Sequence, residues 1–196
     1  MNERLAQQIA FLAEADKLKS VIRRTPLVDR SRRENSAEHS WHLVLVIMVM
    51  REYGPPGIDW MRVMEMVAVH DLVEIDAGDV SAYDVGAFAA KAMREQAAAD
   101  RIFALLPADQ HERFRQLWDE FEAHATPEAR FANAVDRLQP LIQNTHAAGG
   151  SWCGQALAGA QVLERMAPIK SSLPDVWPHV LDVVESFCAA GVLRRD

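Results

Sequence analysis

Residues 66–79, MVAVHDLVEIDAGD, place one histidine and four carboxylates inside an apolar run. Val63, Met66, Val67 and His70 recur at three- and four-residue spacing, so the stretch begins as a helix whose apolar face His70 extends. Glu74 lies one turn further along that face, while Asp71 is rotated about 100° from His70. Burying charge at this density costs several kcal/mol per ion unless each ion is paired. A cation held off the helix between His70 and Asp71 removes the objection, because it pairs the carboxylates and takes an imidazole nitrogen.

Working outward, the chain predicts helices and no strands. Leu5, Ile9, Leu12 and Leu18 mark an amphipathic first helix over 3–20 that ends near Arg24. The polar segment TPLVDRSRRENS is expected to be a loop. Asn35 and Glu38 form a capping-box pair at the start of a second helix, about 37–53, which stops at GPPG. Asp59 caps the third, and Gly78 closes it. An Ala-rich helix over about 86–106 follows, then one over about 109–124 with Phe114, Leu117, Trp118 and Phe121 inward. Thr126, Pro127 and Glu128 give the next a strong start signal, and it runs towards Gly149. Two further helices, about 154–168 and 175–191, are expected only to pack. The expected architecture is one all-α, multi-helix domain over 1–196, with its core at about 10–145.

One helix cannot enclose a cation, and two residues on other helices complete the set. His39 lies in the first turn of the second helix and continues the stripe of Leu43, Val46 and Met50. Asp136 lies between Val135 and Leu138, four residues before Pro140, whose missing N–H frees the Asp136 carbonyl and should bend the helix there. The candidate metal ligands are therefore His39, His70, Asp71 and Asp136. His42 shares a face with His39 and is assigned to its support or to the core. His111, His124, His146 and His179 have no carboxylate at ligand spacing and are assigned structural places. The five tryptophans are assigned to core or interface, and Met48, Met50, Met61, Met64 and Met66 to core filling.

Composition limits the functions open to such a site. The 196 residues carry 21 Lys and Arg against 28 Asp and Glu, a net charge of −7 that disfavours a nucleic-acid polymer as partner. Two cysteines without a CxxC pair argue against a disulfide framework or thiolate zinc site and suit a reducing cytoplasm. Leu43 to Met50 is the longest apolar run, far below the roughly 20 residues that span a bilayer. A soluble, cytoplasmic protein is expected.

With ENSAEHSWH around His39, HDLVEIDAGD around the His-Asp pair and LWDEFEAHATPEARFANAVDRLQ around Asp136, the chain resembles the HD-domain metal-dependent phosphohydrolases, in particular their 5'-deoxynucleotidase-like branch. The resemblance spans about residues 10–145. It implies a helical domain that holds one divalent transition metal, forms a homodimer and hydrolyses (deoxy)ribonucleoside 5'-monophosphates to nucleoside and phosphate. It also implies catalytic roles for Glu74 and Asp79 and phosphate contact by Arg24. Thr25 departs from the tryptophan that adjoins the sugar in those nucleotidases, which leaves the choice of sugar open.

The chemistry of the residues agrees with that implication. A divalent ion acidifies a bound water towards a pKa of about 7. Glu74 can then position water or protonate the leaving oxygen, Asp79 can orient either, and Arg24 can neutralise phosphate charge. Nitrogen and oxygen ligands admit Mn, Co, Fe, Ni or Zn. Plainer roles also fit: Glu74 as a polar flank, Asp79 as a turn residue after Gly78, and Arg24 as part of a solvated basic loop. The alternatives are an HD-domain phosphodiesterase or di-iron oxygenase, for which His42 is the one obvious spare ligand, and a non-catalytic helical dimerisation module.

Overall fold

A computed structural model describes residues 2–79 and 88–195. The expected helical architecture is found, built from α1 (Glu3–Ala15), α2 (Ser36–Met50), α3 (Trp60–Val69), α4 (Glu74–Ala77), α5 (Phe88–Phe103), α6 (Ala108–Ala123), α7 (Pro127–His146), α8 (Gly159–Arg165), α9 (Ala167–Ser172) and α10 (Trp177–Ala189). Their starts obey the local rules. Asn35 Oδ1 accepts from the Glu38 N–H at 2.9 Å while Glu38 Oε2 accepts from the Asn35 N–H at 3.2 Å, the reciprocal capping pair. Asp59 caps α3 through the Met61 and Arg62 amides, and Thr126 caps α7 through Ala129.

The expectation of no strands is corrected. Ile22–Pro26 (β1) and Arg33–Asn35 (β2) form an antiparallel pair, so the first helix cannot reach Arg24; it ends at Ala15 and passes through a 3-10 turn, Asp16–Ser20. Strands of five and three residues are too short to display an alternating pattern, and these are crowded with arginine. The turn between them is held by Asp29 Oδ1, which accepts from the Ser31 amide and hydroxyl at 2.9 and 2.7 Å. The proposed helix at 154–168 is likewise two elements, α8 and α9, separated at Met166.

α7 is the central element and packs against α2, α3, α6 and α9. Phe131, Ala132, Ala134, Val135, Leu138 and Leu141 are all buried along it, and the alanines let neighbouring helices approach. Pro140 does not break α7, which runs as one 20-residue helix. Burial near the N-terminus departs from expectation: Phe11 is buried, whereas Leu5, Ile9 and Leu12 are exposed. Met48 and Met61 are exposed rather than core filling, although Met66 is fully buried.

Candidate metal centre

α3 ends at Val69, and the chain tightens into a 3-10 turn, His70–Val73, before α4. The tighter pitch sets adjacent side chains about 120° apart rather than 100°, yet the His70 and Asp71 side chains still bend to meet, with Nε2 and Oδ1 3.0 Å apart. His39 reaches that point from the first turn of α2, and Asp136 from the middle of α7. All four residues are buried: His39 0%, His70 5%, Asp71 8% and Asp136 8% exposed.

Three of them converge, offering ligand atoms that lie within 4.8 Å of one another: His39, His70 and Asp136. Asp136 Oδ1 is 2.9 Å from His39 Nε2 and 3.7 Å from His70 Nε2. Asp71 stands against the group, with Oδ1 3.0 Å from His70 Nε2 and Oδ2 4.0 Å from His39 Nε2. Its Oδ2 also accepts from Arg23 at 2.9 Å.

The donor set fits a divalent cation. His70 Nδ1 lies 2.9 Å from the Val67 carbonyl, which can only accept, so Nδ1 carries the proton and Nε2 presents its lone pair to the carboxylates. That Nε2 is buried and makes no aligned hydrogen bond. A proton or a cation must satisfy it. With no cation, burial opposes charging the imidazole, but Asp71 and Asp136 prevail and raise its pKa to about 10. Burial would raise the Asp71 and Asp136 carboxyls, yet His70 and Arg23 hold Asp71 below its usual range, and Arg137 and His39 do the same for Asp136. The cluster is thus ready to exchange a proton for a metal.

A cavity of about 400 Å³ opens over this floor and is lined by His70, Asp71 and Asp136 together with Glu74, Asp79, Arg24 and Thr25. Glu74 is 5% exposed, and its Oε2 accepts a 2.6 Å hydrogen bond from Ser36 Oγ. Burial and the adjacent Asp71 charge push its carboxyl up to about 8. Arg24 is exposed at the rim while Thr25 is buried.

Several contributors were not evident from the sequence. Arg23, rather than its exposed neighbour Arg24, forms the ion pair with Asp71. Arg137 pairs with Asp136 and lines the cavity. His124, expected to be structural, also lines it, as do Ser151, Trp152, Gln155, Arg165 and Met166 from the C-terminal quarter expected only to pack. The β-hairpin, which the sequence did not reveal, separates the two arginines by burial: Arg23 is half-buried against Asp71, whereas Arg24 is exposed.

The chain is similar to several known proteins. The HD domain model matches residues 15–177. The 5'-deoxynucleotidase HDDC2 of Homo sapiens is 29% identical over 137 residues, 69% of this chain and 65% of that one. The 5'-deoxynucleotidase hdd1 of Schizosaccharomyces pombe is 26% identical over 114 residues, 56% of each chain. The matched region thus spans about 65% of the length of the human relative. A predicted metal-dependent phosphohydrolase from Magnetospirillum magnetotacticum MS-1 superposes with a TM-score of 0.90 at 42% identity, covering 97% of this chain and 98% of that one. A Pyrococcus furiosus protein shares the fold alone, with a TM-score of 0.60 at 19% identity over 91% of this chain and 97% of that one. The chain belongs to the HD-domain family.

Proposed function

We propose that the protein is a metal-dependent phosphomonoesterase that releases phosphate from (deoxy)ribonucleoside 5'-monophosphates, with His39, His70, Asp71 and Asp136 as ligands of one divalent transition metal. The observation that carries this is the buried pair of imidazole Nε2 atoms facing one Asp136 oxygen on the floor of a cavity of nucleotide size. When bound, such an ion supplies Lewis acidity at the phosphoryl group and makes water a better nucleophile.

The remaining work falls to the chain's own residues. Arg23, Arg24, Lys91 and Arg137 line the cavity among its carboxylates and supply the cationic donors that a phosphate needs there. Glu74, with a pKa near 8, holds a proton at neutral pH and can deliver it to the leaving 5'-oxygen, so that the departing group is an alcohol. Ser36 fixes that carboxyl through the hydrogen bond to Oε2. Asp79, just beyond the Gly78 turn, lines the cavity near Glu74 and is assigned the orientation of water. Thr25 is smaller than tryptophan and leaves both ribose and deoxyribose acceptable. His42 Nδ1 lies 3.0 Å from Gln139 Nε2, an engagement that favours one metal over two.

A homodimer in the cytoplasm is the proposed setting. Trp41, Leu45, Met48 and Val49 form an exposed apolar row on α2, which supports self-association. No helix among the described residues is long and apolar enough to cross a membrane.

The test is phosphate release from a panel of nucleoside monophosphates by metal-loaded protein, with Asp71→Ala as control. Metal-dependent release that the substitution abolishes is expected. Activity surviving Asp71→Ala overturns the assignment, whereas equal turnover of ribo- and deoxyribonucleotides settles only the sugar preference.

A further inference from the structure

Glu34, the middle residue of β2, lies beneath the candidate metal centre and is 2% exposed. Every polar group facing it is a donor. Its Oε1 accepts from Gln139 Nε2 and Gln143 Nε2, both at 2.8 Å. Its Oε2 lies 3.6 Å from Arg23 Nε and 3.7 Å from His39 Nδ1.

An ionised carboxylate can only accept, so Glu34 decides which end of the Gln139 amide faces it: the NH₂ group. The Gln139 carbonyl oxygen is thereby turned to His39 Nδ1, 2.9 Å away. That oxygen in turn requires the proton of His39 to reside on Nδ1, which leaves the Nε2 lone pair directed at Asp136. On its other side Glu34 attracts Arg23, whose terminal nitrogen holds Asp71 Oδ2.

We infer that Glu34 is a positioning residue for the metal centre, fixing the tautomer of His39 through Gln139 and the placement of Asp71 through Arg23. It touches neither metal nor substrate. The inference rests on the proposed metal site and adds to it a single buried charge that sets two ligands from beneath.

Glu34→Gln preserves shape but places an NH₂ against a donor whichever way its amide turns. Metal affinity, measured by calorimetric titration of Mn²⁺ into chelator-treated protein, is the primary readout. Glu34→Gln and Gln139→Met are each expected to weaken binding by about 10- to 100-fold. The double variant should lose little more than the worse single, because both break one relay. Thermal unfolding in excess Mn²⁺ confirms that the variants are folded, and Gln139→Met carries the test if Glu34→Gln does not fold. Affinity within twofold of wild type in a folded variant overturns the inference, as do independent, multiplying losses in the double variant. Failure of the wild-type protein to bind Mn²⁺ would instead refute the metal site itself.

Discussion

On the floor of the cavity, α2, the His70 turn and α7 bring buried imidazoles and carboxylates within ligand distance of one another. On the far wall, the turn after α7 and the segment around α8 contribute Ser151, Trp152, Gln155, Arg165 and Met166. The floor is a set of charges that are costly to bury singly and must stay together. The wall is largely neutral, and Trp152 in it packs edge-on against Phe187 with ring centroids 5.4 Å apart. On the proposed function, chemistry would be concentrated on elements that the core holds rigid, while the surface offered to the rest of a nucleotide belongs to shorter, later elements. Floor substitutions should change turnover; wall substitutions should change which substrate is preferred.

The largest effect that this division predicts follows from removing a ligand. Asp136→Ala takes away the oxygen shared by both histidines and leaves Arg137 without its partner. Metal content, measured by atomic emission after dialysis, should fall to background. kcat/KM for phosphate release should drop by about three to four powers of ten, the scale of the several kcal/mol that a catalytic metal contributes. Gln155→Ala on the wall should leave metal content unchanged; a loss there would break the division.

Next in size is Glu74→Gln, a substitution on the floor that spares the ligands. The amide fits the same space but has no proton of suitable acidity to give. kcat should fall by about 10²- to 10⁴-fold, with KM and metal content little changed. A chemically activated substrate, with a leaving group that needs no proton, should recover most of the rate. A variant equally slow on both substrates would remove Glu74 from the acid role.

The floor was legible in the sequence and the wall was not, for physical reasons. His39 and Asp136 lie in the apolar stripes of long helices and His70 just past the end of another, where a buried charge demands a partner, so the pattern pointed to them as a set. Arg23 escaped because its neighbour Arg24 carries the same charge, and only the hairpin pairing distinguishes the buried one. Glu34 and Gln139 escaped because a buried network is a property of packing between β2, α2 and α7, not of spacing along any one of them. Trp152 sits in a 3-10 turn, Gly150–Trp152, reached through Gly149 at a positive φ of 94°, and such turns have no periodicity to detect. Residues 80–87, the last two of which open the expected Ala-rich helix, lie outside the described residues.

Trp152→Ala sharpens the comparison from the opposite side. The ring is 1% exposed, so its loss should cost about 3–5 kcal/mol of stability. Provided the assay temperature is kept below the lowered Tm, kcat on the best nucleotide should change by less than about tenfold, a change worth about 1.4 kcal/mol. The ratios of KM across bases should be compressed, since the wall would no longer discriminate by shape. Unchanged ratios would mean that the base lies elsewhere.

The two regions are also distinguished by pH. The carboxyl of Glu74 titrates near 8 in the folded chain against 4.5 as its ordinary value, so the native state binds the extra proton between those limits. Stability from this group is therefore fully present below about pH 4.5 and is lost as pH rises through 8. In chelator-treated protein, the stability of wild type relative to Glu74→Gln should decline across that window by about 1.4 kcal/mol per pH unit at most, the limit for one proton. Urea denaturation at pH 5, 7 and 9 measures it. Trp152→Ala carries no such proton, so its offset from wild type should stay constant over the same range. A pH-dependent offset for Trp152→Ala would show that the wall is coupled to the charges of the floor, and the two regions would then have to be treated as one.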